Sequence, residues 1–259
     1  MVIPPVGAHI WGDNPLAEAK EIGAERVQLF LSNPQGWEKP PPRDDAERIK
    51  SSDLGVYVHA PYLINVCSPK PNVRFGSRKI LAQTCEAAAA VGALAVVVHP
   101  GHAEDGLEEG VARWTSTLER LESEVPVYLE NTAGGENAVA RRFDALARLW
   151  DAVEAAKTVV EVGFCFDTCH AHAAGEDLSD AVERAIEITG GIDLMHANDS
   201  RDPAGTGADR HATIGEGQMD LAHLRHMIAA AAAPTVVETP REIHTLKADM
   251  AFVREALSQ

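Results

Sequence analysis

The sequence predicts a single α/β domain folded as a (β/α)8 TIM barrel across residues 1–259. Eight short apolar runs alternate with eight longer segments of helical spacing rich in Ala, Glu and Arg. Such alternation builds a parallel sheet. The runs are apolar nearly throughout, as expected of strands covered on both faces. Six of them in succession end on His, Asp or Glu. A closed barrel gathers six strand ends around one point, whereas the strands of an open doubly wound sheet spread in a line. A chain of 259 residues, 45% hydrophobic, suits one barrel, which typically needs about 250 residues.

In chain order, the first strand is VGAHIW (6–11), followed by a brief GDNP turn and a helix over 15–23. The second is RVQLFL (26–31), followed by the long loop SNPQGWEKPPP, whose Pro40–Pro42 form a stiff connector before a helix over 43–53. VYVH ends at His59 and leads through APYLINVCSPKPNVRFG to a helix over 77–92. VVVH ends at His99, VYLE at Glu130 and GFCFD at Asp167, with helices over 107–124, 137–156 and 178–189 after them. DLMH ends at His196 and precedes ANDSRDPAGTGADRHATIGEGQ and a helix over 220–232. TVVE ends at Glu238 before a last helix over 241–257. The three long loops follow strands two, three and seven. Loops after strand ends form the catalytic face of a barrel, and long ones there imply a large substrate.

Composition narrows the function. A formal charge of −16 argues against a non-specific grip on nucleic acid or anionic membrane. No run of 18 or more apolar residues is present, so no membrane span is expected. The opening MVIPPVGAHIWG has neither a basic segment nor an apolar signal core, and a cytoplasmic location is expected. Cys67, Cys85, Cys165 and Cys169 match neither a zinc ribbon nor a CxxC spacing, and read as reduced structural thiols.

The strand ends supply His59, His99, Glu130, Asp167, His196 and Glu238, and the loops add His170, Asp209 and His211. Adjacent strand ends lie roughly 5 Å apart, so these side chains can surround one cavity. At about three protein ligands per catalytic ion, with carboxylates able to bridge, nine donors suit two or three ions. One His at a strand end is ordinarily a satisfied polar residue. Six such ends facing one another without cations would leave buried charge uncompensated. Imidazole and carboxylate without thiolate suit zinc, manganese or iron. Five of the nine are His, which favours Zn2+, with Mn2+ as a substitute. His223, His226 and His244 read as surface residues on helices, His102 and His172 as loop residues near the mouth, and His9 has no forced role.

A cluster of this kind suits phosphodiester hydrolysis, because paired dications activate water and neutralise a leaving alkoxide. Three zinc ions would add +6 to the −4 of four ligand acids, leaving a site of +2 in an acidic protein. Lys70, Arg74, Arg78, Arg201, Arg210 and Arg241 are cationic helpers in or near the catalytic-face loops. Arg74 and Arg201 are taken from this set as contacts to the backbone of the phosphodiester substrate.

HAPYLIN (59–65), VHPGH (98–102), LENTAGG (129–135), FDTCHAHAAGEDL (166–178), HANDS (196–200), DRHATIGEG (209–217) and VVETP (236–240) resemble, in order, the signature segments of the endonuclease IV family. These are zinc-dependent apurinic/apyrimidinic endonucleases of base excision repair. The resemblance implies a trinuclear zinc site. His59, His99 and Glu130 would hold one ion; Glu130, Asp167, His196 and Glu238 a second; His170, Asp209 and His211 a third. Glu130 would bridge, and Glu130 and Glu238 are assigned catalytic roles. It implies incision of double-stranded DNA 5′ to an abasic site, leaving a 3′-hydroxyl and a 5′-deoxyribose phosphate, and trimming of blocked 3′ ends. It further implies a monomer that works on the nucleoid, flips the lesion and wedges Tyr62 and Leu63 into the duplex; loss of the base makes flipping cheap. Two positions depart from the family pattern. Gln35 stands where many members place an Arg that enters the duplex, and loses charge and stacking surface. His172 stands where an aromatic residue is frequent. The alternative is a single-metal sugar isomerase or epimerase of the same superfamily, for which Glu130, Asp167, His196 and Glu238 would suffice.

Overall fold

Alternation along each strand sends neighbouring side chains into different environments. In the computed structural model, which describes residues 3–258, the barrel strands are β1 (Val6–His9), β2 (Arg26–Leu29), β3 (Gly55–His59), β4 (Ala95–Val98), β5 (Val127–Glu130), β6 (Val162–Asp167) and β7 (Leu194–His196). A two-stranded ribbon follows, β8 (Asp199–Ser200) and β9 (His211–Ala212), and β10 (Thr235–Val237) completes the barrel. The eight barrel strands are parallel and close in the order β1-β10-β7-β6-β5-β4-β3-β2. Between them run α1 (Pro15–Ile22), α2 (Ala46–Lys50), α3 (Pro71–Ala90), α4 (Leu107–Leu118), α5 (Phe143–Ala155), α6 (Thr168–Ala174), α7 (Ala181–Thr189), α8 (Leu221–Ala231) and α9 (Ile243–Leu257). None is long and apolar enough to cross a membrane.

The outward set of strand residues, among them Val56, Val58, Val96, Leu129, Phe164 and Phe166, packs under the helices as the main core. The inward set, Tyr57, Ala95, Val97, Cys165, Leu194 and Val236, forms a smaller core within the barrel, with Tyr128 against it. One step further toward the C-terminal ends, period two brings the next inward side chains: His9, Gln28, His59, His99, Glu130, Asp167, His196 and Glu238. All eight are polar, one from each stave. Apolar packing therefore plugs the lower barrel and polar chemistry fills its mouth, as in a barrel enzyme.

The strand positions match expectation, with His99 and Glu238 just past the paired residues of their strands. Several helix boundaries shift. α3 starts at Pro71 and not at residue 77, because Pro at the first helical positions is pre-set for helix. α5 starts at Phe143 and not at 137, because the preceding segment is drawn into other pairings: Ala138 bridges His102 and Thr132 N bonds Ala140 O. α4 ends at Leu118, six residues short of the expected end, where Glu119–Leu121 turn away from the helix. The 178–189 segment is helical from Ala181 only, and the unexpected α6 fills the preceding turn, capped by the Asp167 side chain on His170 N.

The long loop after β7 is held by Asp199. Its buried carboxylate accepts from the backbone N–H groups of Ser200 (2.7 Å), Gly215 (3.0 Å), Gly217 (3.0 Å) and Met219 (3.1 Å). Gly217 has no alternative here, since a Cβ would overlap that carboxylate. Asp199→Ala leaves these donors without an acceptor. It is expected to lower unfolding stability by about 3 kcal/mol or more, read from urea denaturation.

Candidate metal centre

Glu130, fully buried at the end of β5, is the hub of the mouth. His59 Nε2 and His99 Nε2 lie 3.3 and 3.2 Å from its Oε2, while His196 Nδ1 and His170 Nδ1 lie 3.0 and 3.2 Å from its Oε1. His196 Nδ1 also stands 3.2 Å from Glu238 Oε2 and 3.9 Å from Asp167 Oδ2. On the far side, His170 Nε2 and His211 Nε2 each lie 3.2 Å from Asp209 Oδ1, and His211 Nε2 lies 3.8 Å from Asp167 Oδ2. All nine residues singled out from the sequence converge here. Their donor atoms form overlapping groups: His59, His99 and Glu130; Glu130, Asp167, His196 and Glu238; Asp167, His170 and His211, with Asp209 beside His211.

The donor set fits bound dications. Four histidines hold a fixed carbonyl oxygen near one ring nitrogen and turn the other inward. His59 Nδ1 donates to Ala60 O (2.7 Å), His170 Nδ1 to Asn131 O (2.8 Å), His211 Nδ1 to Glu238 O (3.3 Å), and His196 Nε2 to Gln28 Oε1 (2.9 Å). Such outer partners fix the tautomer of a metal-binding imidazole. The inward lone pairs then face carboxylate oxygens, a repulsive arrangement unless a cation lies between. His170 Nε2 and His211 Nε2 are buried with no hydrogen-bond partner. Bonds of about 2.0–2.1 Å in a tetrahedron place neighbouring donors roughly 3.3 Å apart, close to the spacings around Glu130.

Electrostatics point the same way. Burial pushes the Glu130 carboxyl up, but the imidazoles of His196 and His99 outweigh it and hold it well below the usual range. Asp209 and Glu238 are likewise held down by histidines against the pull of burial. Burial would lower His196 and His211, yet facing carboxylates raise each to about 9. Burial keeps Asp167 raised despite His170 and His211. The cavity thus demands positive charge at the inward nitrogens, supplied by protons or by metal.

Sequence reasoning missed three side chains here. Gln28, buried on β2, donates to Glu238 Oε1 at 2.6 Å and lies 3.0 Å from His9 Nδ1, while accepting from His196. Asn198 donates to Asp167 Oδ2 at 2.6 Å and accepts from Glu238 N at 2.7 Å. Asn131 accepts from Asp167 N at 2.7 Å and donates back to Asp167 O at 2.9 Å. A lone Gln within an apolar run was the available signal for the first. His9 gains a place too: it lies 3.2 Å from Glu238 Oε1, and burial pulls it down to about 4, so it stays neutral. Gln28→Leu removes the partners of His196 and Glu238 together. Metal affinity is expected to fall about 10–100-fold, measured by competition with a chromogenic chelator.

The outer contacts divide. Tyr62 is 49% exposed at the rim, its ring 5.2 Å from Phe30 and His59 and 5.7 Å from His99. Leu63 is half-buried beside it, and Gln35 is exposed in the loop after β2. Arg74 is not a loop residue. It lies on α3, on the barrel flank, and Nη1 donates to Ser68 O and Pro69 O. Arg201 turns back on its own ribbon, with Nε donating to His211 O at 2.9 Å. Arg210 is paired with Asp202. His172, expected in an open loop, is buried in α6 and donates to Asp202 O at 3.0 Å, because α6 occupies that turn. The four cysteines are free and buried. Cys165 lies beneath Glu130 and His196, and burial pushes its thiol well up.

Comparison with known proteins agrees with this geometry. Residues 16–256 match the model of the xylose isomerase-like TIM barrel family. The probable endonuclease 4 of Mycobacterium tuberculosis is 54% identical over 252 residues, covering 96% of this chain and 98% of its own. That of Mycobacterium leprae is 53% identical over 255 residues, covering 98% and 99%. The crystal structure of endonuclease IV from Thermus thermophilus superposes with a TM-score of 0.81 at 28% identity, covering 98% of this chain and 99% of that one. A D-tagatose 3-epimerase-like protein shares the fold, with a TM-score of 0.78 at 19% identity and 98% and 97% coverage. The chain belongs to the endonuclease IV family of xylose isomerase-like TIM barrels.

Proposed function

We propose that the chain is a zinc-dependent apurinic/apyrimidinic endonuclease. It hydrolyses the phosphodiester 5′ to an abasic site in duplex DNA, leaving a 3′-hydroxyl and a 5′-deoxyribose phosphate, and it trims blocked 3′ ends. The observation that carries this reading is the convergence of nine imidazole and carboxylate donors around Glu130 at an open mouth. Three zinc ions suit the three overlapping donor groups, with Mn2+ as a substitute. Bound there, dications would supply an activated water and neutralise the departing alkoxide.

The remaining work falls to the chain itself. His59, His99 and Glu130 hold one side of the site; His170, Asp209 and His211 the other; Asp167, His196 and Glu238 lie between. Glu130 ties the groups together through both carboxylate oxygens. Gln28, Asn131 and Asn198 lock the orientations of the charged side chains. Tyr62, its ring beside those of His59 and His99 and half exposed at the rim, would fill the space beside an extruded sugar, with Leu63 next to it. The enzyme acts as a cytoplasmic monomer on DNA, and the loops after β2, β3 and β7 face the duplex.

A one-metal isomerase would use Glu130, Asp167, His196 and Glu238, leaving His59, His99, His170, Asp209 and His211 without employment although two of them, His59 and His170, are buried. The test is incubation of the zinc-loaded chain with a duplex carrying a single tetrahydrofuran abasic analogue. Incision 5′ to the analogue is expected, and an intact duplex would refute the reading.

A further inference from the structure

Cations are scarce in this chain, 23 Lys and Arg against 39 acids. Four arginines nonetheless line one open trough between α3 and α4, about 850 Å³ in volume. Arg74 and Arg78 project from α3, Arg113 from α4 and Arg120 from the turn that ends it, and Glu109 is the one acid in the lining. The neighbouring carboxylates are already paired: Glu104 with Lys70, Glu108 with Arg148, and Asp105 with Arg113 of the trough itself. Among the described residues, Arg74, Arg78 and Arg120 have no acidic partner. Phe75, 55% exposed, holds the guanidinium carbons of Arg74 and Arg78 at 5.0 and 5.8 Å from its ring centroid. Burial, and then the positive charge of Arg74 and Arg120, depresses the Arg78 pKa. Three like charges, those of Arg74, Arg78 and Arg120, are thus gathered and pre-ordered beside the Asp105–Arg113 pair without a bonded carboxylate of their own, a costly arrangement until an anion enters.

The trough starts at the barrel mouth. Arg113 donates to Cys67 O at 2.6 Å and Arg74 to Ser68 O at 2.9 Å, both in the β3–α3 loop that carries Tyr62. α3 and α4 both begin at the catalytic end and descend the flank. Arg113 and Arg120 are two helical turns apart, about 10 Å, a span of roughly three base-pair steps.

We infer that this trough is a nucleic-acid contact separate from the metal centre, which takes phosphates of one duplex arm flanking the lesion. The inference rests on the DNA reading above. Guanidinium forks match phosphate oxygens two at a time, and Phe75 keeps two of them oriented. An acidic peptide could satisfy the same charges, but DNA is the polyanion that the β3–α3 loop brings to the mouth.

The experiment measures affinity for an uncleavable abasic duplex while each arm is lengthened separately, from half a helical turn to one and a half. Lengthening one arm, and not the other, is expected to tighten binding about tenfold, equivalent to about 1.4 kcal/mol. Arg120→Glu and Arg120→Gln, at an exposed position, remove most of that gain. The slope of log affinity against log salt falls by about 0.9 for each phosphate that is no longer neutralised. Arg120→Lys retains part of the gain. An equal gain in the wild-type chain and in Arg120→Glu overturns the inference. So does an unchanged arm effect together with loss of polyglutamate binding, which would assign the trough to an acidic protein. A wild-type chain that shows the arm effect but incises nothing would sink the proposed activity and leave this contact standing.

Discussion

Glu130→Ala is expected to abolish incision, with kcat/KM falling about 10³-fold or more. The loss exceeds that of a peripheral ligand because both oxygens are engaged: Oε2 faces His59 and His99, and Oε1 faces His170 and His196. Removing the carboxylate severs two donor groups from each other and takes one negative charge out of a fully buried cavity. Metal-derived stabilisation of a phosphoryl transition state is worth several kcal/mol, and every 1.36 kcal/mol is tenfold in rate. Elemental analysis of the same variant should show at least one ion fewer per chain. Near-normal turnover at full metal content would remove Glu130 from the centre of the mechanism.

Stripping the metal should expose a stability that depends on pH in a specific direction. His196 and His211, raised to about 9 by facing carboxylates, stabilise the metal-free fold as cations. That contribution is complete below the unfolded value of about 6.5 and is lost as pH rises through 9. Glu130, Asp209 and Glu238, held below the usual carboxylate range, act in the opposite sense. Their contribution is present above the unfolded value and disappears as pH falls through their depressed folded values. The chelated protein should therefore be most stable near pH 5–6, and its Tm should fall on the order of 5 °C between pH 6.5 and 9. The metal-loaded protein should show no such fall, because dications occupy the place of those protons. Parallel melting curves with and without chelator across that range would settle it; identical profiles would show that these imidazoles carry no charge in the free site.

Much of this was legible in the chain. The barrel followed from eight apolar runs, and the mouth from six strand ends that each carried a donor. Gln28 escaped because a single amide inside RVQLFL carries no metal-ligand signal, and its role as the joint between His196 and Glu238 emerges when β2 closes against β1. His9 escaped for a related reason: it becomes a neighbour of Glu238 through the β1–β10 pairing that seals the barrel. Arg74 was expected within a loop, but Pro71 starts the helix early and sets it at the top of α3, in the lining of the arginine trough. Arg201 was placed by charge alone, and the β8–β9 ribbon, too short to leave a periodic pattern, binds it back to His211. Positions set by local pattern were readable. Contacts defined by ring closure, or by a ribbon of two residues per strand, were not.

The division of the barrel into an apolar floor and a polar crown has an evolutionary corollary. Tyr57, Val97, Leu194 and their neighbours carry the cohesion of the interior, so the reactive tier above is free to vary one stave at a time without loss of shape. Exchange of a single terminal donor would change the charge and donor set of the mouth while leaving the apolar packing underneath untouched.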